Sequence, residues 1–513
     1  MMDKLVYFNS IIILIGFLTI ILSKFTVKTE HFHFSLRGIN ETIETKFPDD
    51  FMLGAGSSAF QTEGAWNISQ KGESIWDRMT HEKPHKVVDG SNADITTNFY
   101  NMYKTDINLI KQINGNAYRI SISWSRVMPT GFSNNINIDG ILYYNNVINE
   151  MLRQNITPFV TIYHWDLPQK LQDLGGWTNP LIIDWFVDYA QVLFTAFGDR
   201  VKYWITINEP SVMCYFGYNG DFAPGINQSG VGDYLCGHHA LIAHARTYRM
   251  YHEEFRSQQN GQVGIGLLLT WQSPENPNDH KEVSGAELSW EFWNSWFLHP
   301  IFSKHGDYPH SMKHRISQLS HHQGFPRSRL PKLTKNQIQI IQNSVDYLGI
   351  NFHYSVVVKK LPKHRSQTIV SFTGDTGMTS IFSTAIKTRC TPSEMSKAIN
   401  HMLNLYKNIP SIIITENGYE DDGEVVDKNR AHFYHHNLYQ VLKLISQGVN
   451  IRGYFAWSLT DSFEWLQGYS KRYGIFSVNF TDPQLPRTPK LSSKVLSEIY
   501  KNKTVINSFT LVN

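Results

Sequence analysis

The chain has 513 residues, 41% of them hydrophobic and 18% charged, with a formal net charge of +3 when the histidines are neutral. So small a charge gives no ground for a nucleic-acid or anionic-surface partner, and no basic run or zinc-type Cys/His spacing accompanies it, so no metal is expected. Aromatic residues make up 13%, including 13 Trp, enough to fill a core and also to offer stacking surfaces to sugar rings.

Residues 1–24 contain a nearly unbroken apolar run from Ile11 to Leu22. That length suits a signal-peptide core and is short for a membrane span. The following Ser23-Lys24-Phe25-Thr26 is a poor cleavage site, so an uncleaved anchor, and with it a membrane association, is the alternative. Acceptor sequons at Asn40, Asn67, Asn155, Asn227, Asn479 and Asn502 fit a secreted or lumenal protein. Residues 25–46 lack hydrophobic periodicity and are expected to be a linker, 47–503 the folded domain, and 504–513 a tail. The three cysteines, Cys214, Cys236 and Cys390, permit at most one internal bridge. Cys214 with Cys236 is the most local pairing, and three reduced, buried thiols fit the sequence at least as well.

From Phe47 onward, eight strand-like segments alternate with helical ones. The strands are expected at 51–61, 117–124, 157–164, 203–209, 263–270, 346–355, 411–418 and 451–460. Helical patterns fall between them, among them Asn98–Ile113, Pro180–Phe197, Asp233–Phe255 and Asn429–Ser446. This alternation predicts an α/β fold, a (β/α)8 TIM barrel of parallel strands in a single domain. A doubly wound sheet is disfavoured because no Gly-rich phosphate loop opens a helix after any strand. The length beyond a bare barrel goes into connections at 62–97, 271–333 and 356–410, which would wall a deep pocket at the carboxyl ends of the strands.

Two strands end alike. Tyr203-Trp204-Ile205-Thr206-Ile207-Asn208-Glu209-Pro210 and Ser411-Ile412-Ile413-Ile414-Thr415-Glu416-Asn417-Gly418 each carry a glutamate out of a buried apolar run. A carboxylate there costs free energy unless it is paired or used. Two of them at the active face of a barrel point to general acid and nucleophile, as in glycoside hydrolysis. Other strand ends bring Gln61, Arg119, His164, Asn351, His353, Trp457, Glu464 and Trp465, a set of hydrogen-bonding and stacking partners for a polyhydroxylated ring.

These residues resemble glycoside hydrolase family 1, the retaining β-glucosidases. The motifs are Phe47-Pro48-x-x-Phe51, Tyr118-Arg119-Ile120-Ser121-Ile122-Ser123-Trp124, His164-Trp165-Asp166-Leu167-Pro168, Asn208-Glu209-Pro210, Thr415-Glu416-Asn417-Gly418 and Trp457-Ser458-Leu459. The resemblance spans about residues 47–503, and the closing Pro486-Arg487-x-Pro489-Lys490 is similar to animal members, insect enzymes among them. It implies Glu209 as acid/base and Glu416 as nucleophile. It also implies Gln61, His164, Asn208, Glu464 and Trp465 around the sugar hydroxyls, and Trp457 beneath the ring. Arg119, Asn351 and the residue at 353 would support the nucleophile, acting on a small glycoside or oligosaccharide without a cofactor.

One position departs from the family pattern. Members usually carry Asn-x-Tyr after strand six, whereas Asn351-Phe352-His353 places a histidine there and Tyr354 follows one residue late. Alternation along a strand puts His353 on the pocket side with Asn351 and turns Tyr354 away. The departure keeps a catalytically altered or merely glycoside-binding barrel, or non-hydrolytic chemistry, as alternatives. A thioglucosidase (myrosinase) is a narrower one. Plant myrosinases replace the acid/base with Gln, but Glu209 is present here.

Overall fold

The computed structural model describes residues 29–33, 46–362, 368–381, 393–505 and 508–512. The apolar leader, Asn40 and Cys390 lie outside the described residues. The main unit spans residues 43–504. A second unit contains strand Thr29–His33, within the expected linker, paired antiparallel with Ser508–Val512 of the expected tail.

Eight parallel strands close the barrel of the main unit: β1 (Met52–Gly56), β2 (Ala117–Ser121), β3 (Thr157–Tyr163), β4 (Tyr203–Asn208), β5 (Gln262–Leu268), β6 (Tyr347–Phe352), β7 (Ile412–Gly418) and β8 (Ile451–Trp457). Each pairs with its chain neighbours, and β8 returns to β1. The outer helices include α1 (Phe99–Gln112), α2 (Ile138–Arg153), α3 (Ile182–Phe197), α4 (Pro210–Tyr218), α5 (Gly232–Met250), α6 (Lys335–Ile341), α7 (Ser393–Leu405), α8 (Lys428–Ser446) and α9 (Leu491–Asn502). In α3 the buried residues Ile182, Phe186, Tyr189, Leu193, Phe194 and Phe197 recur at helical spacing, which fixes the face turned to the sheet.

Several expected strands are too long at their carboxyl ends. The first stops at Gly56, and Ala59–Thr62 is a helical turn carrying Gln61; the second stops at Ser121 before the helical turn Trp124–Val127. The last stops at Trp457. In each case the residues past the ladder, among them Ser58, Ile122 and Leu459, stay buried at the rim, so burial alone does not mark where the strand ends. The described parts of the long connections carry structure of their own. Strands Gln272–Pro274, Val356–Lys360 and Met378–Ile381 form a small sheet, and helix His310–His322 lies in the 271–333 connection. The helix expected to run to Phe255 changes at Tyr251–Phe255 to a wider π turn.

The floor of the barrel is one buried layer. Met52, Ala117, Phe159, Ile205, Tyr347, Ile413 and Phe455 meet there, contributed by seven of the strands. The remaining strand, β5, supplies Gly264, where a Cβ would sit only 2.7 Å from the Tyr347 ring. That ring fills the gap, and its hydroxyl donates to the Trp204 carbonyl at 2.6 Å. Cys214 of α4 and Cys236 of α5 form a disulfide, so the local pairing left open above is the one found.

Candidate active site

Both glutamates are delivered by irregular backbone. The β4–β5 register shifts between Ile205 and Asn208, and the β7 ladders shift between Ile414 and Glu416. Such bulges re-aim side chains at the end of a strand. Glu209 then takes a left-handed φ of 43°, a costly conformation for a residue with a Cβ, immediately before Pro210 starts α4. Beyond Glu416, Gly418 lies so close to the Trp457 carbonyl that any Cβ would collide with it. The two carboxyl groups consequently converge. One oxygen of Glu209, one of Glu416 and a ring nitrogen of His353 all lie within 4.8 Å of one another.

Their surroundings differ. Glu416 receives the Arg119 guanidinium on Oε1, while His353 Nε2 stands 3.2 Å from Oε2. Arg119, fully buried, is itself oriented by Thr161 Oγ1 at 3.1 Å and Asn208 Oδ1 at 2.8 Å. Burial opposes ionisation of Glu416, but Arg119 and the His353 hydrogen bond prevail and bring its pKa down to about 2. Glu209 has no such cation in contact. Burial, and then the charge of Glu416, push its pKa up to about 7. Near neutrality one carboxyl is therefore ionised while a good share of the other keeps its proton, the division of labour that acid-plus-nucleophile chemistry needs.

Asn351 was expected to support the nucleophile, and here the structure corrects the reading. Asn351 is the register partner of Glu416, yet its amide crosses the barrel mouth and donates to Glu209 Oε1 at 2.8 Å and to Asn208 Oδ1 at 3.0 Å. Its own oxygen accepts from Thr415 Oγ1 at 2.7 Å, which fixes the side chain toward β4. His353 faces Glu416, and Tyr354 packs away from it against Ala286, Val356, Val358 and Met378. Burial lowers the His353 pKa, but hydrogen bonding to Glu416 and the charges of Glu416, Glu209 and Glu464 more than offset that and raise it.

The remaining residues form the wall beside the pair. Gln61 donates to Glu464 Oε2 at 3.0 Å and accepts from Ser58 at 2.7 Å. Burial raises the Glu464 pKa to about 8. The His164 ring stacks on Trp457, centroids 5.7 Å apart and planes 12° apart, and on Trp465 at 6.0 Å. Burial keeps His164 neutral, its pKa lowered to about 3, and Asn208 Nδ2 contacts its Nε2 at 3.2 Å. Arg119 lies 5.9 Å from the Trp457 ring centroid. Three further residues contribute: Thr161, an ordinary strand residue by type that lies in no motif, and Thr415 and Trp165, which lie within motifs that assign them no role; the Trp165 indole donates to the Asn208 carbonyl at 2.8 Å.

Comparison with known proteins agrees with this geometry. Residues 43–505 match the Glycosyl hydrolase family 1 model. The chain is 42% identical over 459 residues to Myrosinase 1 of Brevicoryne brassicae, covering 88% of this chain and 97% of that protein. It is 38% identical over 464 residues to the cytosolic beta-glucosidase of Cavia porcellus, covering 89% and 98%. The solved structure of aphid myrosinase superposes with a TM-score of 0.84 at 40% identity, covering 90% of this chain and 100% of that one. Two glutamates of opposed acidity at the carboxyl ends of barrel strands, within a family match across nearly the whole folded unit, make this chain a member of glycosyl hydrolase family 1 and an O-glycoside hydrolase.

Proposed function

We propose that the protein is a retaining, exo-acting β-glycosidase for β-glucosides or related glycosides. The observation that carries this reading is the carboxyl pair within 4.8 Å, one carboxyl strongly acidic and the other held near neutrality. A separation of roughly 5–5.5 Å leaves no room for a water between the carboxyls and favours direct attack. Glu416 adds to the anomeric carbon as Glu209 gives its proton to the departing oxygen. Glu209, now a carboxylate, takes a proton from the water that releases the sugar. Gln61, His164, Asn208, Glu464 and Trp465 hold the hydroxyls, and Trp457 lies under the ring. A 2-fluoro-glucoside should arrest the reaction after the first step and label Glu416, as read by peptide mass spectrometry. Labelling of another carboxylate, or product of inverted configuration, would count against the retaining assignment.

The likeness to Myrosinase 1 raises a thioglucoside as a second substrate. The leaving sulfur needs little protonation, so this reading uses Glu209 only in the second step, to take the proton from water. Parallel assays on an aryl β-glucoside and its thio analogue rank the two.

Replacing His353 with Tyr offers the hydroxyl donor usual in the family. We expect the variant to remain active, with its rate changed by less than about tenfold, or ~1.4 kcal/mol of barrier. The sign of the pH effect follows from the raised His353 pKa: the imidazolium contact with Glu416 holds at low pH and weakens as pH rises through that pKa. The variant should therefore lose any alkaline limb due to imidazole. An inactive variant would mark the histidine as a specialised part of this site.

We also propose passage through the secretory route. The Ile11–Leu22 run, the Cys214–Cys236 disulfide and the sequons support it. Asn67, Asn155, Asn227, Asn479 and Asn502 are all exposed. Protein secreted from insect cells should lose mass on enzymatic removal of N-glycans; an unchanged mass would refute glycosylation at these sites.

A further inference from the structure

His353 brings into the carboxylate pocket what a tyrosine there would not, an imidazole nitrogen. Among the described residues, Glu209, Glu416 and His353 are the one group of three His, Cys, Asp or Glu side chains whose ligand atoms converge within 4.8 Å. They arrive from three separate strand ends and are held by independent contacts, Glu209 by Asn351 and Glu416 by Arg119. The 3.2 Å between His353 Nε2 and Glu416 Oε2 is close to the ~3.3 Å edge between ligands of a tetrahedral ion with bonds of about 2.0–2.1 Å. Glu209 would need to close in by no more than about 1.5 Å to complete the third position.

We propose that this pocket binds one divalent transition-metal ion of the zinc class, as an inhibitor and not as a cofactor. One imidazole with two carboxylates suits zinc or cobalt, whereas calcium and magnesium favour all-oxygen shells. The ion takes Glu416 Oε2, leaving Oε1 with Arg119, and its fourth position is filled by water from the pocket. His353 binds as neutral imidazole and both glutamates as carboxylates, their protons passing to solvent. The positive charge of Arg119 opposes the ion, and the two carboxylates together outweigh it. Inhibition follows because the acid/base and the nucleophile are both engaged. Only that consequence rests on the proposed function; the binding itself does not.

The test is titration of the purified full chain with cobalt(II) chloride, followed by visible ligand-field absorption, with zinc chloride as displacing ion. The expected result is one tight equivalent of Co2+, displaced by Zn2+. Binding should weaken at least about tenfold in both His353→Tyr and Glu209→Gln, with circular dichroism reporting that each variant is folded. His314→Gln should leave the absorption unchanged; His314 stacks with His310 on a surface helix and is one rival site, as His436 beside His432 is another. Equal Co2+ affinity in His353→Tyr, or loss of absorption in His314→Gln, overturns the proposal, as does the absence of any tight equivalent. Zinc inhibition that persists in full in His353→Tyr also overturns it. A chain that binds Co2+ as expected but hydrolyses no glycoside would keep the metal site and reject the proposed activity.

Discussion

Glu416→Gln is expected to lose at least about 10⁴-fold in kcat/KM on an aryl β-glucoside, about 5.4 kcal/mol of barrier. The amide is nearly the same shape as the carboxylate but has no charge with which to attack carbon. Its loss should be as large for activated as for unactivated leaving groups, because bond formation at the anomeric carbon is needed in both. Glutamine is preferable to alanine here because its amide oxygen can still accept from the buried Arg119, whereas alanine would leave Arg119 and His353 without any partner. Breaking a buried pair by removing one member typically costs about 3–5 kcal/mol of stability, so thermal unfolding must be recorded alongside. A folded Glu416→Gln variant keeping more than a tenth of native activity would remove Glu416 from the mechanism.

Glu209→Gln should behave differently. Proton transfer is typically worth about 10²–10⁴-fold, and that full loss is expected for alkyl glucosides, whose leaving groups depart poorly without a proton. Nitrophenyl glucosides should lose far less in the first step. The pH profile carries an independent signature. With its pKa near 7, Glu209 is protonated below that value and gives up its proton as pH rises through it, so native kcat/KM should fall on the alkaline side. The variant has no such group, so the fall centred near pH 7 should vanish, leaving only any part due to His353. Equal losses for good and poor leaving groups, with that fall retained, would leave Glu209 only a role in shaping the pocket.

The barrel and its two glutamates were legible in the sequence because each depends on a repeated local signal. Buried parallel strands are short β-branched runs, and a carboxylate ending such a run stands out twice. The pocket side of His353 followed from simple alternation. What could not be read were features set by the third dimension. The bulges before Glu209 and Glu416 leave no mark on composition, since inserting one residue into a ladder changes pairing and not residue type. Asn351 bonds to Glu209 and not to Glu416, a choice the family motif does not carry, because the backbone lies alongside Glu416 while the amide points toward β4. Thr161 was invisible as a site residue, an ordinary strand former until Arg119 bonds to it, and the motif holding Thr415 does not tell that its hydroxyl bonds Asn351.

The plugged floor of the barrel has a consequence for traffic. Tyr347 and Phe455 belong to the buried layer that closes the barrel below the carboxylates, so substrate and products are expected to pass by the mouth at the carboxyl ends of the strands. A glycoside can reach Glu416 only sugar first, its other half trailing outward. The aglycone must then clear the mouth before water can reach the glycosyl-enzyme, and the sugar, lodged deepest, departs last. Free sugar should thus compete directly with incoming substrate, while free aglycone should also bind to the glycosylated form and slow its hydrolysis.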